Sequence, residues 1–162
     1  EMWIRDSLEA FTSNIYSDNL ADNIELNDVG FLLALTGNSE INKYAITKYG
    51  AQFGEHGSFR LMSPKEQSGV EMLSEKEIFS PSANFNMLMK IVEEHPAVHE
   101  IEIEDHKHYN QLLLDFSESQ DRAAFFLKDQ KGELHVINPS LEIKATAEDK
   151  YNLVYLGKPL AS

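Results

Sequence analysis

The sequence predicts an α/β fold, a short parallel sheet with helices followed by a smaller α+β module, and three observations carry that expectation. The first is FLLALTGNSEINKYAITKYGAQF, Phe31 to Phe53: an apolar run from Phe31 to Leu35 stops at Thr36-Gly37-Asn38, and an amphipathic pattern follows from Ser39 to about Phe53. That is a buried strand, a tight turn and a helix, the unit from which α/β nucleotide-binding domains are built. The second is Val98 to Glu104, which alternates between apolar and acidic residues as a half-exposed strand does. The third is the pair Ala123–Leu127 and Leu134–Ile137, separated by Lys128-Asp129-Gln130-Lys131-Gly132-Glu133, a hairpin whose Gly132 supplies the positive φ. No GxGxxG occurs, and the chain before Val29 is too short for the strand-helix-strand that carries one. The expected parallel sheet is therefore a truncated, Rossmann-like one that begins partway through the fold.

In chain order, Met2 to Ala10 sets Trp3, Ile4 and Leu8 at helical spacing. Phe11 to Tyr16 reads as a short strand with Thr12 and Ile15 as β-formers, and Ser17-Asp18-Asn19 as a turn. Leu20 to Leu26 is a short helical turn before the Asn27-Asp28 break. Val29 to Leu35 is the central strand, too uniformly apolar to be half exposed, as strands between two helix layers are. In the next helix Ile41, Tyr44, Ala45, Tyr49 and Phe53 share a face, Asn38 or Ser39 caps, Glu40 suits the first turn and Gly54 ends the run. Phe59 to Met62 is a short strand broken by Pro64. Pro64 to Phe79 reads as a linker plus irregular helix, placing a boundary between a first domain, 1–80, and a second, 81–162. Pro81-Ser82 opens a helix with Phe85, Leu88, Met89 and Val92 apolar, ending before Pro96. Tyr109 to Phe116 is a short helix, and Tyr151 to Leu156 a last strand.

The bulk numbers bound the function. At 162 residues the chain is long enough to bury a core as one domain or two small ones. Its net charge of -13 argues against nucleic acid and against lying on an anionic membrane, both of which require Lys and Arg. There are no cysteines, which excludes thiol catalysis, thiolate metal sites and disulfides. No stretch approaches the roughly 20 apolar residues of a membrane span. The sequence therefore predicts a soluble chain, or the soluble part of something larger.

Two groups of residues carry candidate chemistry. In α/β sheets ligands sit beyond the carboxyl ends of the strands, which puts Thr36, Gly37, Asn38, Ser39 and Glu40 where a ligand is expected. Backbone amides at the helix start and the Thr36 hydroxyl could hold a phosphate or a ribose; the competing reading is a turn and a cap that bind nothing. Asp18 and Asn19 join this loop if their strand is its neighbour. The second group is Asp105-His106-Lys107-His108, where His106 and His108 with Asp105 or Glu104 have the donors for Zn2+ or Ni2+; solvated side chains in a polar loop are the alternative. The histidines also leave a pH-sensing role open. No GxSxG elbow, P-loop or HExxH is present, so no enzyme is expected.

The run from Val29 to Asn42, VGFLLALTGNSEIN, resembles the second half of a TrkA-N Rossmann domain, in the version found in the cytosolic tails of bacterial cation/proton antiporters of the monovalent cation:proton antiporter-1 (NhaP-like) class. Those tails read LLALT-x-N-x-E-x-N, then a helix, a Phe-Gly and a short strand; Phe53-Gly54 and Phe59-Arg60-Leu61 fill those places here. Upstream, Ile15 to Ala21 is similar to the family's strand followed by Gly-Asn-Ala, with Ser17 and Asp18 departing from the usual glycine. Downstream, Ala124 to Leu127, Lys131 to Val136 and Asn152 to Gly157 are similar to the small β-rich module that follows.

The resemblance implies an RCK-like, non-catalytic regulatory domain on a transporter that exchanges Na+ or K+ for protons, hence a cytoplasmic domain of an inner-membrane protein. Its partners would be the transmembrane domain of the same polypeptide and a second copy, since truncated Rossmann halves expose apolar surface. The glycine-rich turn and the acid closing the second strand, which grip nucleotides in related conductance regulators, are absent. The cofactor is therefore unknown, with a nucleotide left open. Two rival readings stand beside this one: an oxidoreductase-like nucleotide enzyme with its glycine turn upstream, and a free-standing protein-interaction module.

Overall fold

The computed structural model describes residues 13–18, 20, 30–54, 56–69, 77–143 and 149–161. The chain divides into two compact units, Glu1–Gly30 and Phe31–Ser162. In the first unit, the helix expected over Met2 to Ala10 and, but for Leu20, the helical turn from Leu20 to Leu26 lie outside the described residues. The strand expected over Phe11 to Tyr16 is not formed by its described part. Asn14 makes a turn instead: its Oδ1 accepts from Tyr16 N at 3.0 Å and its carbonyl from Ser17 N at 2.9 Å. An Asn side chain bonding to a backbone amide two residues on competes with strand pairing, and here it wins over the β-propensity of Ile15.

The second unit is mixed α/β, with a two-stranded parallel sheet and a four-stranded antiparallel one. β1 (Leu32–Ala34) runs through α1 (Ser39–Tyr49) to β2 (Ser58–Arg60), and β1 and β2 pair in parallel with Leu32 opposite Ser58 and Ala34 opposite Arg60. β1 is shorter and less covered than expected: Leu32 and Leu33 are half-buried and Phe31 is 38% exposed, its ring packed on Phe59. Past Tyr49 the helix tightens into a 3-10 turn, Gly50–Phe53, before Gly54 ends it with a φ of 77°.

Pro64 does not simply break the chain. It opens α2 (Pro64–Gln67), where Ser63 and Glu66 form a reciprocal capping box. The expected linker also ends in core: Ile78 bridges Arg60 in parallel and, with Phe79, is fully buried. α3 (Phe85–Glu94) starts at its Asn84 cap, later than Pro81, and buries Met87, Leu88 and Ile91. Of the other apolar positions read from the sequence, Phe85 is half-buried, and Met89 and Val92 are 52% and 48% exposed.

The antiparallel sheet has the order β3-β6-β4-β5, from β3 (Val98–Ile103), β4 (Arg122–Lys128), β5 (Leu134–Val136) and β6 (Tyr151–Gly157). Between β3 and β4 lies α4 (His106–Ser119), three residues longer at its start than expected because Asp105 caps it. Alternating side chains supply two cores, one for each face of the sheet. One joins Phe59, Leu61 and Phe79 to Met87, Leu88 and Ile91 of α3 and to Ala123 and Val136, so residues on either side of position 80 share it. The other packs Tyr109, Leu112 and Phe116 of α4 on Ile103, Ala124, Leu127 and Leu153. The Tyr109 hydroxyl, taken out of water, has its pKa pushed up to about 12.

Candidate functional site

The turn between β1 and α1 is held from beneath by Asn42, a side chain only 2% exposed. Its Oδ1 accepts from Thr36 N at 3.0 Å and from the Thr36 hydroxyl at 2.7 Å, while its Nδ2 donates to Thr36 O at 2.9 Å. Every polar group of Thr36 is thus engaged, since its Oγ1 also accepts from Asn38 N at 3.2 Å. Asn38 is the cap, with Oδ1 accepting from Glu40 N and Ile41 N at 3.0 and 3.2 Å.

A cleft of about 190 Å3 opens at the carboxyl ends of β1 and β2, the place where the sequence leads one to look. Thr36, Gly37, Ser39 and Asn42 form one wall, Met62, Ser63, Pro64 and Gln67 a second, and Asn84, Phe85 and Asn86 a third. The walls are joined: Asn84 Nδ2 donates to Gln67 Oε1 at 3.3 Å, and the Phe85 ring lies so close over Gly37 that a Cβ there would sit 2.9 Å from its Cδ1. None of the lining residues is ionisable among those described.

The second wall rests on a buried ion pair. Arg60, on β2, donates from Nη1 to Glu66 Oε2 at 2.8 Å and from Nη2 to Oε1 at 2.6 Å, and Glu66 Oε2 also accepts from Ser63 N at 2.8 Å. The Arg60 guanidinium, with Ser63 assisting against the cost of burial, holds the Glu66 carboxyl down at about 2.

This geometry weakens the phosphate reading of the turn. The amides of Glu40 and Ile41 are occupied by Asn38, the Thr36 hydroxyl is turned toward Asn42, and the ring of Phe85 covers Gly37. Glu40 points along the helix surface toward Lys43, 3.8 Å away. Asp18 is exposed in the turn of the first unit, and Asn19 lies outside the described residues. Of the predicted loop, the cleft thus collects Thr36, Gly37 and Ser39, with Asn38 shaping it as the cap. Asn42, Gln67, Asn84, Phe85 and Asn86 were missed. Asn42 left one signal, a polar residue among the apolar positions of α1.

Asp105, His106 and His108 sit at the start of α4, not in a loop. Asp105 Oδ1 accepts from His108 N at 2.7 Å, His108 Nδ1 from Glu104 N at 3.2 Å, and His106 Nδ1 meets Asn110 Nδ2 at 3.0 Å. Among the described residues, the His, Asp and Glu side chains that converge as a metal site requires are instead Asp129, Glu133 and His135.

No protein-family model, no curated protein and no solved structure matches the chain. Among the described residues no helix is long and apolar enough to cross a membrane.

Proposed function

We propose that the chain is a non-catalytic regulatory domain, the truncated Rossmann-like (TrkA-N) cytosolic tail of an inner-membrane antiporter that exchanges Na+ or K+ for protons. The observation that carries this reading is the stretch Leu32 to Asn42: the residues that resemble the antiporter tails form a strand, a clasped turn and a capped helix, and a parallel strand follows. Thr36, Asn38 and Asn42, which match the T-x-N-x-E-x-N pattern, are the residues that build the turn.

In this reading the cleft beside Thr36 is the ligand site, and its occupant shifts the arrangement of a homodimer and so biases transport. Walls of Asn, Gln, Ser and Thr without a cation suit an uncharged, hydrogen-bonding ligand better than a phosphate. The same feature disfavours the rival reading of a nucleotide-dependent oxidoreductase. The coding frame upstream of the Glu1 codon tests the assignment. About ten apolar spans of roughly 20 residues each are expected there. A frame without spans overturns it, and a glycine-rich strand-turn-helix in such a frame favours the oxidoreductase reading instead.

A further inference from the structure

We propose that the β4–β5 hairpin carries a site for a divalent transition-metal ion, formed by the His135 imidazole and the carboxylates of Asp129 and Glu133, with Zn2+ as the ion that fits. The three side chains each present one ligand atom, and these atoms lie within 4.8 Å of one another. His135 Nε2 and Asp129 Oδ2 are 3.1 Å apart. Two ligands on one Zn2+, each about 2.0–2.2 Å from it, stand roughly 3.0–3.5 Å from each other, so this pair needs little movement to take the ion between them.

The hairpin prepares Asp129 as a ligand with one free oxygen. Its Oδ1 accepts from Lys131 N at 2.8 Å and from Glu133 N at 3.0 Å, and the turn is closed by Asp129 N donating to Glu133 O at 3.0 Å. Gly132, at a φ of 84°, lets the chain reverse there. Amides that fix one carboxylate oxygen leave the other aimed at the imidazole, the kind of outer support that orients metal ligands. Glu133 immediately precedes β5 and His135 lies within it, so the start of that strand brings both residues to the turn that Asp129 closes. One nitrogen and two oxygens form a mixed donor set suited to Zn2+ or its neighbours Co2+ and Ni2+, rather than the all-oxygen set of Ca2+ or Mg2+.

The competing account is that His135 and Asp129 form an ion pair that only fastens the hairpin. Titration of the full chain with Zn2+, followed calorimetrically, and with Co2+, followed by its visible absorption, separates the two. The proposal expects one saturating equivalent, a rise in Tm on binding, and shifts of the His135 ring resonances before those of His106 and His108. His135→Ala weakens binding by about tenfold or more, Glu133→Gln weakens it in the same sense, and His106→Ala with His108→Ala leaves it unchanged. Glu133 is exposed, so its substitution reports on the site even where the His135 variant folds poorly. The proposal is overturned by the absence of saturable binding, by binding that survives in both hairpin variants, or by binding that disappears with His106 and His108.

Discussion

Asn42 and Glu66 are the two buried polar side chains on which the cleft depends. Asn42 makes three side-chain hydrogen bonds to one residue, Thr36, and a truncation removes the partner of the Thr36 amide and carbonyl, while the hydroxyl keeps Asn38. Asn42→Ala should cost about 1–3 kcal/mol in urea denaturation. Paired with Thr36→Val in a double-mutant cycle, it should show a coupling of about 0.5–3 kcal/mol; additive effects would mean that the clasp contributes nothing. Glu66→Gln removes the bidentate carboxylate from the buried Arg60 charge, leaving the longer contact to Glu77 at 3.8 Å, and should cost about 3 kcal/mol. The pH dependence follows from the same pair. The folded carboxyl at about 2 lies below its ordinary value of 4.5, so its stabilisation is complete above pH 4.5 and is lost as pH falls toward 2. That difference corresponds to about 3 kcal/mol, and Glu66→Gln should flatten this part of the stability curve. An unchanged acid limb in the variant would place the acid sensitivity elsewhere.

At the scale of elements, the caps set where the helices begin, and they explain both what the sequence revealed and what it hid. The β1–turn–α1 unit was legible because an apolar run, a glycine and an Asn cap coincide within a few residues. The β4–β5 hairpin was legible from Gly132, and the outline of β3 from its alternation. α3 was expected to open at Pro81, whereas Asn84 is its cap; of its apolar residues Met87, Leu88 and Ile91 turn inward and Met89 outward. Glu66 was hidden because a charged residue in a Ser/Lys/Glu-rich stretch looks like linker, and only its partner Arg60, on another element, makes it core. The three walls of the cleft come from separate elements, so periodicity along the chain could identify just one of them. The start of α4 offers a direct check. Asp105→Ala removes a cap and should lower stability by about 1 kcal/mol, while leaving any Zn2+ affinity of the chain unchanged. A loss of metal binding in that variant would return the metal chemistry to the Asp105-His106-His108 cluster.

On the scale of the whole molecule, one strand-helix-strand unit packs its β2 residues into the same core as α3 and the antiparallel sheet, so the cleft walls and the sheet are mechanically joined. A ligand that draws together Thr36, Gln67 and Asn84 therefore strains elements that share a core with β4 and β5, a physical route by which occupancy would reach a partner. The net charge of -13 disfavours contact with an anionic lipid surface. If the domain works as a pair, sedimentation of the chain should show a concentration-dependent monomer–dimer equilibrium; a monomer at all concentrations would contradict that part of the account. The central claim is that this chain regulates cation/proton exchange, and its most direct test is transport in everted membrane vesicles. The intact antiporter is compared with one lacking residues 31–162 and one carrying Asn42→Ala. The account predicts that the deletion and the substitution both shift the dependence of exchange on cation concentration or pH, with the transmembrane protein still inserted and active. Identical exchange curves for all three would contradict it.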